Sequence, residues 1–285
     1  MISIVIPSKN EIFLKKTIED VLIKSVGAVE IFPVLDGYDI PKNEYIDDPR
    51  VKYVKLELTR HCKKRHGINL VLNNMSKGKY VMSLDAHCML AHGWDEVLLK
   101  DLNDNEVVLP RRHRLDAENW CLQNQVDSRP PIDYEYIQWP LKHNPVSFHG
   151  FKWDSRTLER WNIPIDETML IQGSFWLMHK TWFQKCGFMD IKYQGWGSEG
   201  EEVCLQTYKN GGRVLSNKNT YFAHLHKGAK YGRMYFLPKS ETTASIVYAY
   251  DLWVHQNKDF FIKYIERFWP LPGWPSNWEK HIYKN

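Results

Sequence analysis

Five cysteines in 285 residues, odd in number and never spaced Cys-x-x-Cys, suggest neither a disulfide framework nor a zinc knuckle. No apolar run approaches the roughly 18 residues that a bilayer-crossing helix needs. The chain enters "ISIVIP" directly after Met1 without a charged leader, so a soluble, cytoplasmic protein in a reducing compartment is the expectation. Lys and Arg outnumber Asp and Glu by only 38 to 34, far from the footprint of a nucleic-acid arm, and this balance merely permits a phosphate-bearing ligand. No Gly-x-Gly-x-x-Gly follows the first apolar run and no Walker-type glycine loop occurs, so the two common phosphate cradles are missing. A bound phosphate needs another holder, and a divalent metal would serve. Internal repeats and low-complexity tracts are absent as well.

What is present is a core: 43% of the residues are hydrophobic, with 12 Trp, 15 Tyr and 12 Phe. Many of the aromatics lie beyond residue 134, where they suit both packing and a cleft for sugars or bases. Up to about residue 110, β-rich runs ("ISIVIP", "VEIFPVLD", "VKYVKLE", "YVMSLDA", "EVVLP") alternate with helical patterns near 11–25, 64–75 and 94–102. That alternation predicts an α/β fold, a mostly parallel sheet flanked by helices, with ligands at the carboxyl ends of its strands. Pro7, Ser8 and Asn10 after the first strand, Asp36 and Gly37 after the second, and Asp85 and His87 after the fourth therefore share one expected cleft. Singly, Asn10 and Gly37 read as ordinary cap or turn residues. From 111 to 165 the pattern predicts a loop-rich insert, and "GWGSEGEEVCLQTYKNGG" a glycine-rich loop entering a helix that ends at Gly211.

Asp85 and His87 alternate with one residue between them, so on an extended strand both face the same side. His224 and His226 repeat that spacing in "YFAHLHKG". A mixed oxygen and nitrogen donor set suits Mn²⁺, with Mg²⁺ as the alternative cation. Lys227 and Arg233 follow in a basic, glycine-bearing loop fit to close over a diphosphate. Glu201 and Glu202 read as an acidic first helical turn, whereas Glu199, between Ser198 and Gly200, reads as a substrate contact and Trp196 as a flat face for a sugar or base.

Those residues carry a resemblance. "MSLDAHCMLAHGW", "GFKWDSRTLERWNIPI", "QGSFWLMHKTWF", "GWGSEGEEV" and "NGGRVLSNKNTYFAHLHKG" resemble, in the same order, motifs of the polypeptide N-acetylgalactosaminyltransferases, metal-dependent nucleotide-sugar enzymes of the GT-A (Rossmann-like) fold. The resemblance implies that Asp85, His87 and His224 hold the metal and that Asp36 and Arg65 contact the nucleotide. It places Gly173, Trp196 and Glu199 around the donor sugar, and Lys227, Arg233 and Tyr235 in a mobile lid; Pro7 and Asp85 complete the expected donor contacts. Two departures, Gly200 for Asn and Gln172 for Gly, fall where the donor sugar is chosen.

The implied organisation is a catalytic domain over 1–240, with a nucleotide-binding half (1–110) and a donor-sugar and acceptor half (111–240). Residues 241–285 form a helical, Trp- and Pro-rich extension packed on it. The implied activity is transfer of a sugar from a nucleotide-diphosphate donor, a UDP-sugar, to an acceptor hydroxyl with retention, with Glu199, Trp196 and Glu202 as catalytic residues. The acceptor is expected to be a protein Ser or Thr, or a hydroxylated DNA base held by Arg111, Arg112, Arg114 and neighbouring aromatics. Alternative readings are an inverting enzyme using Glu199 or Glu202 as base, one acting on a cell-surface glycan precursor, and an inactive nucleotide-sugar-binding module.

Overall fold

A computed structural model describes residues 1–59, 61–123, 129–139 and 148–283. Strands β1 (Ile2–Ser8), β2 (Val29–Asp36), β3 (Val54–Leu56) and β4 (Tyr80–Leu84) form a parallel block in the order β3-β2-β1-β4. Beyond β4 the sheet continues through β11 (Phe175–His179), β6 (Glu106–Asp116), β12 (Arg213–His224) and β10 (Ile165–Glu167), with β5 (Cys88–Leu90) on β12 and β7 (Cys121–Leu122) on β6. β6 and β12 pair in parallel, and β11 runs against both β4 and β6. Six strands thus share one direction, and β11 brings its amino end to the edge where they end.

Both faces of this sheet are covered, which is why β2 is buried along its whole length. Glu30 within it is satisfied by Ser3 Oγ at 2.7 Å and Lys52 Nζ at 2.8 Å. Pro33 has no N–H to give on the side that faces β3, and the pairing there lapses between the Ile31–Val51 bridge and Val34. Helices α1 (Leu14–Lys24), α2 (Lys64–Asn69, continuing as a wider turn to Met75) and α3 (Trp94–Leu99) occupy the places that the periodicity predicts.

One boundary differs. β6 runs to Asp116, through the "RRHRLD" stretch that the sequence assigns to an irregular insert. Its charges are matched across space: Arg111 lies 2.7 Å from Asp133, and Arg112 lies 2.6 Å from Glu135. The rest of the insert contains β8 (Glu135–Ile137) paired with β9 (Gly150–Lys152), and α4 (Asp154–Glu159); its residues 124–128 and 140–147 lie outside the described ones.

α5 (Lys180–Cys186) and α6 (Glu199–Lys209) follow as expected, then a short α7 (Gly228–Tyr231). The tail forms α8 (Lys239–Tyr250, continued by a wider turn to Gln256), α9 (Lys258–Phe268) and α10 (Trp278–Tyr283). α9 buries Phe261, Ile262, Tyr264, Ile265 and Phe268, one face at helical spacing, in the same apolar cluster as the sheet. Trp274 donates its indole N–H to the Ile137 carbonyl at 2.8 Å, tying the tail to β8. Among the described residues no helix is long and apolar enough to cross a membrane.

Candidate functional site

The carboxyl ends of β1, β2, β4 and β12 and the amino end of β11 surround a cavity of about 700 Å³ and a narrower adjoining one of about 70 Å³. Both are lined by Lys64, Asp85, His87, Trp196, Lys227 and Tyr235. Pro7 and Asp36 line only the narrow part; Gly173, Glu199, His224 and Arg233 line only the wide part. Most residues singled out from sequence therefore meet at one place, although up to 228 positions separate them (Pro7 to Tyr235).

At the junction Asp85, His87 and His224 each offer a ligand atom, and these atoms lie within 4.8 Å of one another. Nε2 of His87 and Nε2 of His224 are 3.1 Å apart, and Asp85 Oδ2 is 3.5 Å from the latter. Local pairing fixes the convergence: His224 stands opposite Cys88 in the β12–β5 ladder, and Leu225 donates its N–H to the His87 carbonyl at 3.1 Å. The far nitrogen of His87, Nδ1, is 3.0 Å from Glu11 Oε2, the carboxylate–imidazole arrangement that orients metal-binding histidines. Burial pushes the His224 imidazole down to about 3, which keeps it neutral as a ligand must be. Burial would push the Asp85 carboxyl up, but the Lys64 ammonium at 3.0 Å, aided by His224, holds it well below the ordinary carboxylate range.

Around this junction, Asp36 accepts from Lys9 Nζ at 3.1 Å and from the Lys63 backbone at 2.9 Å, while its other oxygen, Oδ1, is buried without a partner. Arg233 stacks over Trp196 with its guanidinium 4.2 Å from the ring centre. Lys227 pairs with Glu11, so one carboxylate joins His87 to the 226–235 segment. Gly197, at a φ of 113°, holds a backbone conformation that only glycine adopts readily, which lets the loop turn tightly into α6. Glu199 is the first residue of α6 rather than preceding it, and the bare α-carbon of Gly173 allows its close approach: a Cβ at 173 would stand 2.9 Å from Glu199 Cβ.

Two residues do not face the cavity. Arg65 is 2% exposed and Glu202 1%, and they pair with each other beneath the loop. Arg65 also donates to the Gly197 carbonyl at 3.0 Å and lies on the Tyr193 ring, and Glu202 accepts from Asp190 N at 2.7 Å. The expected nucleotide contact and the expected catalytic glutamate are instead a buried brace for the Trp196 loop. Arg111 and Arg112, read from sequence as a basic loop, are committed to Asp133 and Glu135.

Three cavity-side residues were missed from sequence: Lys64, Glu11 and, as more than a helix-turn charge, Glu201. Only Lys64 left a signal. "CKKRHG" places cations in the first turn of a helix, against its dipole, and such local conflicts mark functional sites.

The sequence model of glycosyl transferase family 2 matches residues 3–187. Polypeptide N-acetylgalactosaminyltransferase 6 of Bos taurus is 25% identical over 227 residues, covering 74% of this chain and 35% of that protein. Polypeptide N-acetylgalactosaminyltransferase 3 of Taeniopygia guttata is 25% identical over 282 residues, covering 92% and 43%. The chain thus spans less than half the length of either relative. A crystal structure of GalNAc-T7 with UDP, GalNAc and Mn²⁺ superposes with a TM-score of 0.68 at 19% identity, covering 95% of this chain and 52% of that one, and shows that the fold is GT-A. The matched model spans well over half of the sequence, from the first strand to the end of α5, and the chain belongs to glycosyl transferase family 2.

Proposed function

We propose that this chain transfers a sugar from a UDP-sugar to an acceptor hydroxyl with retention, using a divalent cation, Mn²⁺, held by Asp85, His87 and His224. The observation that carries the reading is the convergence of those three ligand atoms at the junction of two cavities, with a neutral His224 and a charged Asp85. One carboxylate and two imidazoles are a donor set in keeping with Mn²⁺, and the carboxylate behind His87 supports the fit. The cation supplies charge to a leaving diphosphate.

The remaining roles follow from placement. Asp36 borders the narrow cavity with one oxygen, Oδ1, unpartnered, and suits an N–H of a nucleobase or a ribose hydroxyl. Lys227 and Arg233 border the wide cavity and neutralise phosphate, while Trp196 and Tyr235 exclude water from it. Gly173 and Glu199 suit the sugar. In the transfer the acceptor oxygen bonds to the anomeric carbon as the carbon–oxygen bond to phosphate breaks. The electron pair leaves on the diphosphate, and the hydroxyl proton passes to the departing phosphate oxygen. Arg65 and Glu202 act from below by holding the loop that carries Trp196.

The three tail-to-site contacts from Ser245 to Gly197, from Glu241 to His61 and against Gly195 support treating residues 241–285 as a packed extension of a catalytic unit spanning 1–240. The test is thermal shift with UDP-, GDP- and CMP-sugars, with and without Mn²⁺, followed by donor turnover. A UDP-sugar that stabilises only with the metal is expected. Binding without any turnover would favour an inactive sugar-binding module.

A further inference from the structure

We propose that Glu201 and Glu135, facing each other across Gly150, form an acceptor subsite for a carbohydrate and take hydrogen bonds from its adjacent hydroxyls; this rests on the transferase reading above.

Glu201 lines the same wide cavity as His224, Gly173 and Glu199, on the side built by the β8–β9 pair. The backbone N–H of Gly150 donates to its Oε1 at 2.8 Å, which fixes the carboxyl. Glu135 has a cation, Arg112, on its Oε1 at 2.6 Å. Glu201 has none among the described residues. A Cβ at Gly150 would stand 3.7 Å from Glu201 Oε1 and 3.8 Å from Glu135 Oε2, so the two carboxyls converge over bare backbone. His149 beside them lines the cavity too, and its buried Nδ1 has no partner. Burial, together with Glu135 and Glu199, pushes the Glu201 carboxyl up.

Half-buried at the cavity wall and held by backbone N–H alone, the Glu201 carboxyl keeps acceptor capacity for a bound hydroxyl. Two carboxyls converging over one glycine match two neighbouring hydroxyls on a rigid ring. A single Ser or Thr hydroxyl fills only one of them. A phosphodiester at this wall meets the Glu201 carboxyl, which has no cation beside it among the described residues.

The test measures UDP release from UDP-glucose, UDP-galactose and UDP-N-acetylglucosamine with Mn²⁺. The candidate acceptors are methyl glycosides, a Ser/Thr peptide and an oligonucleotide bearing hydroxymethylcytosine. Methyl glycosides should accelerate release. Glu201→Gln and Gly150→Ala should each raise the acceptor KM about tenfold, equivalent to one lost hydrogen bond, with little change in donor KM. Gly150→Ala meets nothing nearer than Leu170 Cδ1 at 3.4 Å, so it separates loss of the subsite from loss of the fold, with Tm as the check. Acceleration by the peptide or the oligonucleotide alone, or an unchanged acceptor KM in both variants, overturns the subsite. Absence of UDP-sugar binding and turnover in the unmodified chain overturns the transferase reading itself, a result distinct from either.

Discussion

Lys64 Nζ lies 3.0 Å from Asp85 Oδ1 and 3.5 Å from the Gly173 carbonyl, so one buried ammonium joins the end of β4 to the entry of β11. The carboxylates of Asp85 and Glu199 keep it charged although burial opposes this. It balances the negative member of the proposed metal set and holds that carboxylate's orientation.

Lys64→Met should therefore strand Asp85. Leaving a buried charged group unpaired costs about 1–3 kcal/mol or more, so Tm should fall, and the apparent Mn²⁺ affinity should change with it. A variant with unaltered Mn²⁺ dependence would show that Lys64 does not position Asp85.

Asp85→Ala should abolish the metal-dependent stabilisation by a UDP-sugar and cut turnover by about 10²–10³, the usual effect of removing one preorganised electrostatic group. Thermal shift and UDP release measure this. A persistent metal-dependent shift refutes the metal assignment.

Arg65→Ala should act on stability first. Removing one partner of a buried ion pair typically costs about 3–5 kcal/mol. Calorimetry should show a large Tm drop, and Glu202→Gln should show a smaller one in the same direction. If Tm is unchanged while donor KM rises, Arg65 touches the nucleotide after all.

Gly200→Asn restores the residue that the resembling family carries, and it should fail here. A Cβ at Gly200 would collide with the Ile171 carbonyl oxygen, a backbone atom that cannot step aside. Overpacking of this kind costs about 1–3 kcal/mol. Chemical denaturation should report the loss, whereas a stable variant with altered sugar preference would contradict it.

Acid should destabilise the metal-free chain from near pH 6.5 downward. Burial, helped by Arg111, pushes His113 down to about 4 from its ordinary 6.5, and burial with Arg112 and Arg114 does the same to His226. The unfolded chain then binds more protons than the folded one between those values, so stability falls as pH falls through that window, by up to one proton per histidine. Urea titrations from pH 7 to 4 should show the slope, and His113→Phe should flatten it. Proton NMR of the product's anomeric centre tests retention separately; an inverted product would return Glu199 to the role of base.

Much of this fold was legible because local pattern and global structure agree. The run "VEIFPVLD" coincides with β2, and the 64–75 pattern with α2 and its continuation. Asp85 and His87 were legible as ligand-type residues where an apolar strand ends, but they converge through the turn between β4 and β5 and not by alternation along a strand; His224 was legible from spacing together with the family likeness. What stayed hidden depends on partners far away in sequence. β6 looked irregular after Pro110 because its arginines meet Asp133 and Glu135 only in the folded chain. Arg65 and Glu202 looked functional because nothing in their neighbours discloses that they face each other. Glu201 is silent in the sequence for the same reason: its partner, the Gly150 N–H, arrives from 51 positions away.

The contact between His87 and His224 bridges 137 positions of chain. Closing a loop of that length is entropically unfavourable until β6, β11 and β12 have docked, and such long-range strand pairings are slow to form. The Asp85, His87 and His224 cluster should thus form late in folding, and capture of a metal by it would report that the whole sheet has been assembled.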